Sequence, residues 1–404
     1  MGFIDRLASW QARSHVENPV YPLTSARLVE VLGGTPTASG EIITPKSALS
    51  LTAVFRATKL IASTCAGVPL RVYELDDRDN KIDVTAQHPV FLDPHPEMTA
   101  LELWEWVYLM VETHGNAYLQ KIRFAGGNRS RDVVAQLHPI SPERIRPGRT
   151  SDGMKVFEFS GPNGETIPLT SQEVLHIPGM SYDGVIGLSP IGLARQSLGT
   201  SKAAENYAGL LFGRGALMSG ILQTDRKLSV EAADALRSRW QDMFGGLGGA
   251  HKIAVLDQGA KFQPVSITPE EAQFLESRKF GVVEVARLFG VPPHLLMETS
   301  AASNWGTGLE EQTRGFLIFG LAEKLGRVAA RTTKELLPAP ARFAEHRTAK
   351  LLSADTLSRY RSYSLAIRDG WLSRADVRRR ENEPVFDESL EDYGPPARGP
   401  AVVE

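Results

Sequence analysis

The chain has 404 residues, 42% hydrophobic and 23% charged, with a formal net charge of −2. This balance excludes a disordered polymer and supports a large core in more than one part. It also excludes a protein that grips nucleic acid through a basic surplus, because phosphate neutralisation supplies most of that affinity.

No stretch approaches the roughly 18 unbroken apolar residues of a spanning helix, and the N-terminus has no signal-peptide core. The chain is therefore expected to stay in the compartment where it is made. Residues 1–45 read as a loosely held arm, with an amphipathic helix over Phe3–Trp10 followed by Pro19, Pro22, Gly33, Gly34 and Pro36. Phe3, Leu7 and Trp10 suit a partner or the chain's own core better than a membrane surface. Pro45–Ala66 is predicted helical, with Ala53, Val54, Ala57, Leu60, Ile61 and Cys65 on its apolar side, and the single cysteine reads as a packed thiol. Pro69–Leu75 alternates as a strand. Thr99 caps a helix over Ala100–His114, and Gly115–Phe124 and Val133–Ile140 are strands about the turn Gly126-Gly127-Asn128. Met154–Ser160 and Glu165–Leu169 form a hairpin around Pro162-Asn163-Gly164, and Val174–Ile177 is a further strand. Helices with antiparallel strands and no βαβ repeat make the fold class α+β.

Ser189 and Pro190 open a long helix running through Ala194, Leu198, Ala203 and Leu210 to Gly213, a rod of about 35 Å. A second rod of about 30 Å starts at Thr268 and Pro269, carries Leu275, Val282, Ala286 and Phe289 on one face, and stops at Gly290, Pro292 and Pro293. Between the rods lie Ile221–Gln223, a helix over Ser229–Phe244, the loop Gly245–Gly249, and strands over Lys252–Leu256 and Lys261–Val265. Two matched rods around a small insertion suggest a stalk with a tip, whereas for the helix from Thr268 and the helical run that follows it to Leu337 spacing alone favours an antiparallel pair in an ordinary core. Thr299–Gly308, small and polar apart from Trp305, reads as a loop. A helix follows to Leu337, and Gly315, Gly320 and Gly326 predict a kink or close packing within it. Ala341–Thr348 reads as a strand, Asp355–Ile367 and Ser373–Glu381 as helices, and the tail from Tyr393 as disordered.

The chain has no G-x-x-x-x-G-K-[ST], so any ATP-driven motor must be another protein. Gly245–Gly249 follows a helix, not a strand, and reads as a loop after a C-cap. His88 and His95 flank Asp93, but prolines break helical register and neither H-E-x-x-H nor a paired C-x-x-C occurs, so no metal or cofactor is expected. A hydrolase built on His176, Asp183 and Ser189 would lack the G-x-S-x-G elbow, and Ser189 is explained as a cap. Arg378-Arg379-Arg380 beside Asp376, Glu381 and Glu383 reads as a solvated mixed-charge face. The chain is not expected to be an enzyme.

Five stretches in order, from about Pro45 to Glu383, carry a resemblance. They are Ala53–Ala62 with Val68–Tyr73, Gly115-Asn-Ala-Tyr118, Val174-Leu-His-Ile177 with Asp183-Gly184 and Gly187-Leu-Ser-Pro190, Phe289-Gly-Val-Pro-Pro293 with Ser303-Asn304 and Glu311-Gln312, and Gly370–Arg378. Together the chain resembles the large portal protein family of long-tailed double-stranded DNA phages, prophages and gene-transfer particles. It departs at Gly320, where relatives often have proline, at Asp376, and in Trp305–Gly308, which widens the Ser-Asn to Glu-Gln spacing.

The resemblance implies a portal fold, with an N-terminal arm (1–45), an α/β wing (46–185), a first stem helix (186–215), a clip (216–267), a second stem helix (268–291), a tunnel-loop region (292–308) and a long kinked helix (309–337). Residues 338–404 would supply a wing-completing strand, crown helices and a disordered tail. The stem would carry Ser189, Pro190, Thr268, Pro269, Leu275, Val282, Ala286 and Phe289, and the clip Ile221, Trp240, Phe244, Val255 and Phe262. Thr299, Ser300, Ser303, Asn304, Trp305 and Thr307 would face DNA in the tunnel. Implied partners are further copies in a ring, typically of twelve, double-stranded DNA, the terminase large subunit, a head-tail adaptor and the major capsid protein. The implied location is the capsid vertex of a virion assembled in the host cytoplasm. A capsid or tail-adaptor subunit without a DNA-gating loop is the alternative reading.

Overall fold

The structure is a computed structural model that describes residues 35–124, 133–150, 152–161, 163–213, 220–223, 229–235, 238, 261–264, 269–298, 312–337, 341–348, 356–381 and 384–385. It divides into two units, residues 1–346 and 347–404. Helices and antiparallel strands mix within the first unit, as the α+β class requires.

The first unit opens with α1 (Pro45–Ala48) and α2 (Thr52–Ala66). These were expected as one helix, but Ser50 Oγ turns back to the Ser47 carbonyl at 2.7 Å and Leu51 adopts extended backbone, so local side-chain bonding breaks the run. α3 (Ala100–His114) begins on a reciprocal cap between Thr99 and Glu102 and ends at Gly115 with φ +74°. Val54, Ala57, Ile61 and Cys65 of α2 are buried, as are Leu103 and Val107 of α3, and the two helices pack together.

Among the described residues, four small antiparallel sheets accompany these helices. β1 (Leu70–Leu75) lies between β2 (Lys81–Asp83) and β11 (Arg342–His346), so a strand late in the chain pairs with one near its start. β3 (Asn116–Phe124) lies between β4 (Val133–Ile140) and β8 (Val174–Pro178). β5 (Ile145–Arg149), β6 (Lys155–Ser160) and β7 (Thr166–Thr170) form the third sheet. β5 has no strand signal because Pro147 and Gly148 sit inside it, and it occupies a sheet edge, where proline is tolerated. Tyr118, Ile140, Ile145, Phe157, Leu169 and Val174 form the core between these last two sheets.

The first rod is two pieces, α4 (Pro190–Leu193) and α5 (Arg195–Gly213), separated where Ala194 leaves helical backbone at φ −92°, ψ 9°. The second is α6 (Pro269–Phe289), which Gly290 ends at φ +65°. Their tips are joined by the fourth sheet, β9 (Gly220–Gln223) against β10 (Lys261–Pro264). A Cβ added to Gly281 of α6 would lie 3.1 Å from Ser201 Oγ of α5. These two residues stand equally far along their helices from Gly213 and Pro269, so the rods run antiparallel and in register. The predicted kink between 309 and 337 is a π turn over Phe316–Leu321, continued by α7 (Ala322–Leu336). The turn suits Gly320, whose missing Cβ would lie 2.8 Å from the Phe316 ring.

The second unit holds α8 (Thr356–Arg368) and α9 (Arg374–Glu381), joined through Gly370 at φ +77°. Glu381 accepts from Arg359 and from Tyr363, both at 3.0 Å, and so pins α9 to α8.

Candidate functional site

Motifs far apart in the sequence meet where α3 ends. Left-handed backbone at Gly115 turns the chain sharply into β3, and its carbonyl accepts from the Gly179 amide at 2.7 Å. The backbone at 187–188 presses against the same point: a Cβ on Gly187 would lie 1.9 Å from the Gly115 oxygen, and one on Gly115 would lie 2.2 Å from the Leu188 oxygen. Both positions exclude every side chain.

Asn116 closes the joint. Its Oδ1 accepts from the Gly187 amide at 2.8 Å and from His176 Nε2 at 2.9 Å, while its Nδ2 donates to the carbonyls of Gly187 at 2.8 Å and His114 at 3.2 Å. All four hydrogen-bonding positions of the amide are used, so a buried polar side chain works as a clamp. Ser189 adds a second tie by donating to the Thr113 carbonyl at 2.7 Å and accepting from the Gly192 amide at 3.0 Å, which caps α4. Asp183 shapes the intervening turn, its Oδ1 accepting from the amides of Val185 and Ile186 and from Ser181 Oγ at 2.8, 2.9 and 3.0 Å.

His176 is neutral in this setting. Asn116 Oδ1 can only accept, so Nε2 carries the proton, and Nδ1 accepts from Lys155 Nζ at 2.6 Å. Burial, then the charges of Lys155 and Arg331, hold its pKa well below the usual histidine value. The ring stacks on Tyr118 at 4.5 Å and meets the edge of Phe157 at 5.7 Å. Lys155 is itself pushed down to about 8, first by burial and then by Arg331. His176, Asp183 and Ser189, the residues of the imagined hydrolase, are thus spent on three separate structural bonds, and Ser189 faces the Thr113 carbonyl instead of a base. His88 bonds Arg342 at 3.0 Å, and His95 accepts from the amides of Glu97 and Met98 at 3.1 Å, so neither converges on Asp93.

Two buried ion pairs fix α7 on this joint. Lys121 Nζ meets Glu335 at 2.9 Å with its side chain 2% exposed, and Lys324 meets Glu112 at 2.6 Å. Between α7 and the 178–184 segment a cleft of about 380 Å³ opens, lined on the helix side by Arg327, Arg331 and Lys334.

Of the expected stem residues, Ser189 and Pro190 lie at the joint, Ala286 and Phe289 are buried at the far end of α6, and Val282 is half-buried. Pro269 and Leu275 belong to α6, and Ile221 and Phe262 to β9 and β10, where Phe262 stands opposite Leu222. Thr268, the clip residues Trp240, Phe244 and Val255, and all the tunnel-loop residues from Thr299 to Thr307 lie outside the described residues. The clamp by Asn116 and the basic cleft were not anticipated. Gly115-Asn-Ala-Tyr118 stands out as part of a strand and as a family-like string, and nothing local shows that Asn116 would meet Gly187.

The family model for phage portal protein matches residues 52–382. The chain belongs to the phage portal protein family. It is 34% identical over 373 residues to a probable portal protein of Streptomyces phage phiC31, covering 88% of this chain and 80% of that one. It is 31% identical over 346 residues to the portal protein of Enterobacteria phage HK97, covering 83% and 79%. In fold it is similar to a chain in the neck of a native gene transfer agent particle computed with C12 symmetry, with a TM-score of 0.62 at 21% identity, covering 95% of this chain and 100% of that one. An HK97-family phage portal protein from Corynebacterium diphtheriae has the same fold at a TM-score of 0.56 and 17% identity, covering 78% and 99%.

Proposed function

We propose that the chain is a non-enzymatic portal subunit that closes into a ring at one capsid vertex and forms the channel for packaging and ejection of double-stranded DNA. The observation that carries this reading is the pair of matched antiparallel rods α5 and α6. They are bridged at their tips by β9 and β10, and the segment that leads into the first rod is clamped to the sheets by Asn116 through Gly187. Over 195–209 only Leu198, Gly199 and Ala208 of α5 are buried, so most of this rod is open to neighbours. A ring is a closed set of heterologous contacts, and a rod rich in Gly, Ala and Ser, as α5 is, allows close approach.

In this reading residues 46–185 are the wing, 186–215 and 268–291 the stem, 216–267 the clip and 292–308 the tunnel-loop region. The kinked helix is 309–337, and 338–404 return to the wing and crown. The clip docks the terminase large subunit and then the head-tail adaptor, and the wing meets the major capsid protein. Thr299, Ser300, Ser303, Asn304, Trp305 and Thr307 line the narrowest point. A near-neutral chain suits that task, because many phosphate contacts would sum to an affinity that stalls sliding DNA. Electron microscopy of the purified protein tests the reading: rings with an axial hole are expected, and monomers alone at high concentration overturn it. For the loop, Trp305→Ala particles are expected to retain packaged DNA poorly, and normal retention of full-length genomes removes Trp305 from the gating role.

A further inference from the structure

The cleft beside the joint concentrates positive charge in a chain whose net charge is −2. Arg327, Arg331 and Lys334 follow one another at steps of four and three, so they share one face of α7 within about 10 Å of helix. Nearby acids are committed elsewhere: Glu335 to Lys121, Glu323 to Arg327 and Asp183 to its own turn. Among the described residues, Arg331 and Lys334 make no ion pair. The other wall is formed by Pro178, Gly179, Ser181 and Gly184, and beside it the turn held by Asp183 leaves Met180 66% and Tyr182 95% exposed. Exposed tyrosine and methionine beside a basic face suit a protein segment that carries apolar residues between its acids.

The chain also contains a complementary run. Residues 383–393 read Glu-Pro-Val-Phe-Asp-Glu-Ser-Leu-Glu-Asp-Tyr: five carboxylates, no Lys, Arg or His, and apolar side chains between them. The run begins one residue after the family match ends at 382. We propose that the cleft between α7 and the 178–184 segment receives this acidic run from a second copy of the chain, its carboxylates on Arg331 and Lys334 and its apolar side chains on Met180 and Tyr182. This rests on the ring of the proposed function, in which the run acts as a strap between copies.

A labelled peptide of residues 383–393, titrated by fluorescence anisotropy into the full-length chain, tests this. Asp387, Glu388, Glu391 and Asp392 of the protein are first changed to their amides so that its own run does not compete. Saturable binding is expected, weakened about tenfold by R331Q/K334Q, since losing two charge-assisted contacts removes about 1.4 kcal/mol. R331E/K334E should abolish it, and a peptide with lysine at those four acids should bind this reversed protein. Peptide affinity unchanged in R331Q/K334Q overturns the proposal. A short DNA duplex that displaces the peptide at lower concentration also overturns it and assigns the cleft to nucleic acid. Ring formation is scored separately by microscopy, so failure of the strap is distinguishable from failure of the portal reading.

Discussion

Replacing Asn116 by alanine removes one side chain and orphans three buried groups. The Gly187 amide, the Gly187 carbonyl and His176 Nε2–H all lose their partner, in a site where Asn116 is 5% and His176 3% exposed. Each unsatisfied buried group costs about 1–3 kcal/mol, so N116A should cost roughly 3–5 kcal/mol after partial relaxation. That is a large share of the roughly 5–15 kcal/mol that holds a folded protein together. N116D gives a graded control, because it keeps the acceptor for the Gly187 amide but cannot donate to the Gly187 carbonyl. The assay is urea unfolding by tryptophan fluorescence, with amide hydrogen exchange at 113–117 and 185–192. N116A should shift the midpoint strongly and speed exchange at Gly187 before the sheets open. A change below about 0.5 kcal/mol with protection at Gly187 intact would falsify the clamp.

The Lys324 and Glu112 pair should behave asymmetrically. Lys324→Met strands a carboxylate whose side chain is 5% exposed and should cost about 3–5 kcal/mol at neutral pH, whereas adding Glu112→Gln should restore much of it, as chemical denaturation will show. Because burial already raises the Glu112 pKa, the folded K324M protein takes up a proton more readily than the unfolded chain, and its deficit should shrink as pH falls. The wild-type trend is opposite in sign for the histidines. His88, His114, His176 and His346 all have folded pKa values lowered chiefly by burial, so the stability they contribute is complete above about pH 6.5 and is lost as pH falls further. Melting temperature should drop between pH 7.5 and 5.5, and His176→Gln should drop less. Cys65 is pushed up to about 12, first by burial and then by Glu112, so the native thiol should resist iodoacetamide at pH 8 and react only in urea, as mass spectrometry will read.

Local signals carried far in this chain. The Thr99 cap with Glu102, the Gly290 stop before two prolines and the hairpin between β6 and β7 are all encoded within a few residues, and the structure forms each of them. The breaks at Ser50 and Ala194 were missed because short side-chain and backbone preferences there overrode a continuous apolar pattern. The motifs of the portal family were likewise legible as strings, without showing why they must coexist.

Two meetings became visible only in the folded chain: Asn116 with Gly187, 71 residues later, and the 178–184 segment with Arg327, Arg331 and Lys334 of α7. A hydrogen bond or a shared cleft at such separations imposes no periodicity and no spacing on the chain. Caps and turns are set by dihedral angles within one segment and can be read from composition. The clamp and the basic cleft arise from how separate segments close on one another, and that is fixed by packing alone.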